Sequence, residues 1–282
     1  PGGDQRVAVV GAAPTAGPAG RQWLAAARRD LGLTITTLAT PALLSWSGGK
    51  DAAWALHVLR QLGGLDVVGL LTTVTDGFER VSMQGIRVDV LEQQARATGL
   101  PVLQARIPQA CDNATYEAAF EKALATAQAR WPGLRDIAFG DLFLADIKEY
   151  RDALCTRLGW RPHYPLFGSD TASLAREMIA GGLRASLCCV DTSQLDGDFA
   201  GRDFDASLLA DLPAGIDPCG ENGEFHTCVS AGPMFAAPLD LQLGETVLRD
   251  GRFAYTDFAL ANAGPERPLA TGATGPAGAP ER

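Results

Sequence analysis

The chain has 282 residues, enough for one large domain or two modest ones, and its 46% hydrophobic content excludes global disorder. Twenty-four Lys and Arg against 33 Asp and Glu give a formal charge of -9, so the surface as a whole repels phosphate backbones and nucleic acid is not an expected partner. No apolar run approaches the roughly 20 residues that span a bilayer, and no basic stretch precedes an apolar core, so a cytoplasmic location with no membrane partner is expected.

Residues 1–40 read as an N-terminal extension. They begin rich in Gly, Pro and Ala, with one helical pattern carried by Trp23, Leu24, Ala27 and Leu31. From 41 to 160, short apolar runs alternate with longer amphipathic ones. The runs 42–46, 66–74, 101–107 and 136–140 predict strands buried on both faces. Between them 51–62, 84–98 and 115–130 predict helices, the first two stopped by Gly63 and Gly99, and 144–158 predicts a fourth helix ending before Gly159. This alternation predicts an α/β fold, a parallel sheet with helices on both faces. Ligands of such sheets sit beyond the carboxyl ends of the strands, which directs attention to 45–52, 72–78 and 140–151.

From 161 to 258 the pattern changes to a smaller, substrate-side α+β unit. It offers a helix at 171–180, a strand at 185–190, a short helix at 204–211 and a Gly-rich stretch at 215–224. A hairpin follows from 239–242 and 246–255, with Asp250-Gly251 as its two-residue turn. Residues 259–282 are low in complexity and are expected to be a disordered tail.

The six cysteines contain no C-x-x-C pair, and His57, His163 and His226 make no zinc-ligand spacing with them. Reduced and mostly buried thiols are expected for Cys155, Cys188 and Cys189, while Cys219 has a more unusual setting.

Ser47-Gly48-Gly49-Lys50-Asp51 lies between a predicted strand, which carries Ser45, and a predicted helix. Two glycines allow a tight turn on which backbone N–H groups converge, and the helix N-terminus and Lys50 add positive charge. That is a cradle for phosphate or pyrophosphate. Position 44 is Leu, so this is not a Walker A loop, and G-x-G-x-x-G is absent. Asp51 within such a loop is the candidate ligand for Mg²⁺ held against a polyphosphate. A second string, Asp217-Pro218-Cys219-Gly220-Glu221-Asn222-Gly223-Glu224-Phe225-His226-Thr227, sets two glutamates and an imidazole among glycines. Alone it reads as a tight turn with solvated carboxylates.

The first string resembles the S-G-G-x-D-[ST] loop of N-type ATP pyrophosphatases, with Ala52 in place of the final hydroxyl residue. The second resembles the N-P-C-G-E-G-G-E-[FY] motif of the diphthine–ammonia ligase family, with Asp217 and Asn222 as departures. The resemblance covers about 41–235, with further matches at Gly140-Asp141, Asp146 with Tyr150-Arg151, and Glu177-Met178-Ile179. It implies ATP-dependent amidation: a carboxylate is adenylated with release of pyrophosphate, and ammonia then displaces AMP. The bacterial branch is the nearer likeness, which implies an acceptor other than the modified histidine of an elongation factor.

Ser45, Ser47, Gly48, Gly49, Lys50, Asp51, Thr72, Thr73, Gly140 and Asp141 are then the candidate ATP-binding residues. Asp146, Tyr150, Arg151, Cys219, Gly220, Glu221, Asn222, Gly223 and Glu224 are candidates for the acceptor and amine side. Lys50, Asp51, Glu221, Glu224 and His226 are the catalytic candidates. Gln84 stands where relatives often carry His. Thr72 and Thr73 read equally well as plain strand residues.

Two alternatives stand beside this expectation. Ala52 keeps open a nucleotide-binding module without turnover. Cys219 keeps open a tRNA-thiolating pyrophosphatase, although Glu221 two residues on would raise its pKa. The sequence leaves the ammonia source and a homo-oligomeric state open.

Overall fold

The computed structural model describes residues 39–261; the helical pattern near Trp23 and the expected tail from 262 onward lie outside them. β1 (Thr40–Ser45), β2 (Leu65–Thr75), β4 (Val102–Ile107), β5 (Asp136–Ala138) and β6 (Arg161–His163) pair in parallel, in the order β4-β2-β1-β5-β6. The two-residue β3 (Arg80–Val81) adds antiparallel to the end of β2. The chain leaves β1 toward β2 on one side and returns to β5 on the other. That reversal opens a crevice at the carboxyl end of β1.

α1 (Lys50–Leu62) and α2 (Val88–Thr98) stop at Gly63 and Gly99, whose φ of 68° and 75° close each helix in the left-handed region that glycine tolerates best. α3 (Asn113–Arg130) is capped by Asp112, whose carboxylate accepts from Thr115 N at 2.8 Å. α4 (Ala145–Arg157) follows β5. Adjacent residues of β1 separate onto the two faces of the sheet. Leu44 packs with Trp54, Leu56, Val90 and Leu91 of α1 and α2, while Leu43 packs with Phe120, Leu124 and Leu154 of α3 and α4. Both leucines are 0% exposed, which is why β1 is a continuous apolar run. This is the α/β fold expected.

The second unit contains α5 (Thr171–Ala180), β7 (Arg184–Asp191), a 3₁₀ turn (Gly197–Phe199), α6 (Ala206–Asp211), β8 (Phe225–Ala231), β9 (Leu241–Arg249) and β10 (Phe253–Leu260). Its sheet is antiparallel, in the order β8-β7-β10-β9. Leu187, Phe225, Val229 and Met234 share one core with α1 and α2, so this unit closes over that face of the first sheet.

Several expectations need correction. α2 starts at Val88, not 84, because 82–85 is a turn with Met83 and Gly85 both at φ 70°. The hairpin turns at Asp250-Gly251 (φ 52° and 63°), but its strands are 241–249 and 253–260, so β10 extends past the expected boundary at 258. All six cysteines are unpaired. Among the described residues no helix is long and apolar enough to cross a membrane.

Candidate functional site

The 46–49 loop is held from two directions. Gly48 turns at φ 79°, and a Cβ there would come within 2.7 Å of Gln94 Oε1 and 2.9 Å of Ile86 Cδ1, so only glycine fits. Gln94, fully buried on α2, donates to the carbonyls of Gly48 (3.1 Å) and Val229 (2.8 Å) and accepts from Trp46 Nε1 (3.3 Å). From β8, Val229 N donates to Gly48 O (3.0 Å), and Thr227 Oγ1 accepts from Lys50 N (3.0 Å). Gly49, the N-cap of α1, has no side chain to close the helix; Thr227 takes Lys50 N and Ser47 Oγ accepts from Gly49 N (3.3 Å), and the positive end of the helix is turned toward the crevice.

A cavity of about 890 Å³ lies there. Ser45, Ser47, Gly49, Lys50 and Asp51 line it from the loop, and Thr72 and Thr73 from β2. Gly140 and Asp141 line it after β5, with Asp146, Tyr150 and Arg151 from α4. Cys219, Gly220, Glu221, Asn222, Gly223 and His226 complete the wall from the second unit. Two stretches far apart in sequence thus meet across one space. Gly48 and Glu224 back this wall without lining it.

Lys50 departs from its expected role. Its side chain is 2% exposed and stands over the rings of Phe225 (5.6 Å) and Phe204 (5.8 Å). Nζ donates to Asp51 Oδ2 at 2.8 Å and to the Cys219 carbonyl. Burial alone would lower this ammonium's pKa; Asp51, helped by Cys219 and Glu221, carries it above its ordinary value. The charge therefore joins two loops rather than reaching out to a phosphate. Burial raises the Asp51 carboxyl in spite of Lys50. Asp51 Oδ1 and Thr72 Oγ1 are buried at the cavity without a hydrogen-bond partner. An orphaned carboxylate oxygen beside an anion cradle fits a hard cation shared with a polyphosphate. Among the described residues no three His, Cys, Asp or Glu side chains form a cage on their own, so phosphate oxygens would have to complete the shell.

The 217–224 loop is folded by two carboxylates. Asp217 accepts from Cys219 N (2.9 Å), Glu221 N (3.2 Å) and Thr171 Oγ1 (2.6 Å). Glu224, 1% exposed, accepts from Asp217 N (2.9 Å), Asn222 N (2.9 Å) and Asn222 Nδ2 (3.0 Å). Glu224 is thus turned inward and its acceptor capacity is used by the loop, which corrects its assignment to catalysis. Glu221 faces the cavity, and its Oε1 accepts from Leu142 N (2.8 Å) and Phe143 N (3.4 Å) of the loop after β5. Burial, and then the charge of Asp51, push its pKa to about 7.

His226 lines the cavity with its pKa lowered to about 4 by burial and by Lys50, so at pH 7 it is a neutral imidazole and not an imidazolium acid. Cys219 is 1% exposed, its Sγ donates to Thr171 O (3.4 Å), and burial pushes the thiol far up. It is a packed residue, not a thiolate.

On the opposite wall Arg151 Nε lies 2.8 Å from Asp141 Oδ2, an ion pair bent away from hydrogen-bond geometry, and Nη2 donates to Oδ1 at 3.3 Å. The guanidinium lies 4.4 Å from the centre of the Phe139 ring. The Tyr150 hydroxyl donates to Glu117 (3.2 Å), and Asp146 is exposed at the rim. Gly140 has a packing reason: a Cβ would meet Ala52 N and Asp51 C at 2.9 Å, so the segment just after β5 and the first turn of α1 touch backbone to backbone. Sequence reasoning missed Gln94 and Thr227, and with them the cavity aromatics Tyr116 and Phe139. For Gln94 a signal existed, an amide between the apolar Val90, Leu91 and Ala95 on one helix face.

Comparison with known proteins gives matches to both halves. The family model described as "Diphthamide synthase N-terminal domain" matches residues 40–162, and that described as "Diphthamide synthase C-terminal domain" matches 170–255. A diphthine–ammonia ligase of Schizosaccharomyces pombe is 26% identical over 218 residues, 71% of this chain and 36% of that protein. One of Danio rerio is 33% identical over 125 residues, 41% of this chain and 48% of that protein. The matches thus span less than half of either relative's length.

Proposed function

Because the chain belongs to the diphthamide synthase family, we propose that it is an ATP-dependent ligase that adenylates a carboxylate and amidates it with ammonia. Both relatives named above are diphthine–ammonia ligases. The observation that carries the reading is the convergence of the 47–51 cradle and the Glu221 loop on one cavity.

An acceptor carboxylate oxygen attacks the α-phosphorus, and the bond to the bridging oxygen breaks, releasing pyrophosphate. The α1 N-terminus and the glycine-loop N–H groups stabilise charge on the departing group. Asp51, with its free Oδ1, would hold Mg²⁺, which supplies charge neutralisation on the polyphosphate. Ammonia then attacks the acyl carbon, AMP leaves, and the new C–N bond sheds one proton. Glu221, titrating near 7, is ionised often enough at neutral pH to take that proton. Neutral His226 offers one N–H donor and one acceptor nitrogen but no acidic imidazolium. The buried thiol of Cys219 weighs against sulfur transfer. A nucleotide-binding module without turnover is the second reading, favoured by Ala52, which lines the cavity where a hydroxyl residue is usual. The acceptor is a carboxylate other than diphthine, the protein acts in the cytoplasm, and a homo-oligomer is compatible with the reading.

ATP titration by calorimetry with and without Mg²⁺ tests the binding half. Binding should be tighter with the metal, and Asp51→Asn should remove that advantage. No ATP binding in either condition would overturn the proposal.

A further inference from the structure

We infer that Asp257 and Tyr255 of β10 are positioning residues for the nucleotide end of the cavity, holding the 82–85 turn against the carboxyl end of β2. The inference rests on the ATP-binding reading above.

Ser82, Met83 and Gln84 line the cavity next to Thr72, Thr73 and Thr75. This wall is not in a relaxed conformation. Met83 sits at φ 70°, a left-handed backbone that costs an ordinary side chain about 1 kcal/mol. The contacts that maintain it come from β10, itself outside the cavity. The Tyr255 hydroxyl donates to Met83 O at 3.4 Å. Its ring edge lies so close to Gly85 that a Cβ there would come within 2.9 Å of Cδ1 and 3.0 Å of Cε1.

Asp257 then staples both ends of the turn. Arg80, before it, donates through Nη1 to Gly85 O (2.7 Å) and to Asp257 Oδ1 (2.8 Å). Arg87, after it, donates through Nε to both Asp257 oxygens (3.0 and 3.1 Å) and through Nη2 to Oδ2. The carboxylate is 7% exposed and both arginines 17%, so the pairs are poorly screened. The turn passes its position on to β2: Ser82 N donates to Thr73 O (3.0 Å), and Ser82 Oγ lies 2.9 Å from Thr75 Oγ1. A displaced turn therefore moves the hydroxyl-bearing end of β2. That predicts a binding defect rather than a chemical one.

The test compares Asp257→Asn with Asp136→Asn. Asp136 is a buried carboxylate clamped in the same way by Arg161 and His163, but at the amino end of β5, away from the cavity. Both variants should lower Tm. Only Asp257→Asn should raise the ATP Kd and KM about tenfold while kcat changes less than about threefold. An ATP Kd and KM within about twofold of wild type in folded Asp257→Asn would overturn the inference, as would equal effects in the two variants. Should Asp257→Asn fail to fold, Arg80→Lys keeps the charge but cannot bridge Gly85 and Asp257 together. It must give the same KM-against-kcat split, and an unchanged KM there overturns the inference. If the wild type makes no AMP, the ligase reading fails, and the Kd comparison still tests the clamp.

Discussion

The ammonium of Lys50 donates to the backbone carbonyl of Cys219, tying the loop after β1 to a loop 169 residues further along the chain. The same ammonium pairs with Asp51, so one buried cation sets the distance between the nucleotide cradle and the Glu221 loop. Lys50→Met leaves Asp51 without its counter-charge and the carbonyl without its donor. The expected cost is about 3 kcal/mol, a fall in Tm of roughly 6–12 °C for a chain of this size. Thermal denaturation checks it, and a shift below about 2 °C would mean that the tie contributes little.

Glu221 carries a pH signature. Its folded pKa is raised from 4.5 to about 7, so the fold favours the protonated acid. The stability this contributes is complete below pH 4.5 and is lost as pH rises through about 7. Glu221→Gln, which keeps a neutral acceptor for Leu142 N, should match wild type near pH 5 in chemical denaturation. At pH 8 it should be more stable by about 2–3 kcal/mol, the loss that follows from a shift from 4.5 to about 7. Amide formation, at constant free ammonia, should rise through about pH 7 in the wild type, and lose that inflection and about a hundredfold in rate in the variant. An unchanged pH profile would remove Glu221 from proton transfer.

The contact between Gly140 and the first turn of α1 predicts opposite outcomes for two small substitutions. Gly140→Ala drives a methyl to 2.9 Å from Ala52 N and should cost about 1–3 kcal/mol with weakened ATP binding. Ala52→Ser adds a hydroxyl at a position lining the cavity and should raise turnover several-fold, roughly 1 kcal/mol of transition-state stabilisation. Steady-state AMP release measures both. If the wild type is silent and Ala52→Ser leaves it silent, the binding module is favoured.

Cys219→Ala separates amidation from sulfur transfer. The thiol is buried against Thr171 O, so its loss should leave AMP formation within about threefold of wild type. Abolished activity in a folded variant would favour thiolation.

The strands and helices of the first unit were legible because their cause is local. Leu43 and Leu44 are both buried, so β1 reads as an unbroken apolar run, and Gly63 and Gly99 stop helices through their own backbone freedom. The tight turn at Gly48 was legible for the same reason. β3 and β6 were missed because two and three residues carry no period, and β8 because its start lies inside the 217–227 string. Orientation was beyond local reading. Glu221 and Glu224 are equivalent in sequence, yet one faces the cavity while the other is enclosed by Asp217 and Asn222. The direction of Lys50 depends on Phe204, Cys219 and Phe225, all distant in the chain.

The most direct test of the account is the identity of the nucleotide product. Purified protein, ATP, Mg²⁺, ammonium and a pool of cellular carboxylates would be incubated and the nucleotides separated. Cleavage between the α and β phosphates predicts AMP and pyrophosphate, dependent on the pool and lost in Asp51→Asn. ADP and phosphate would contradict the adenylating mechanism.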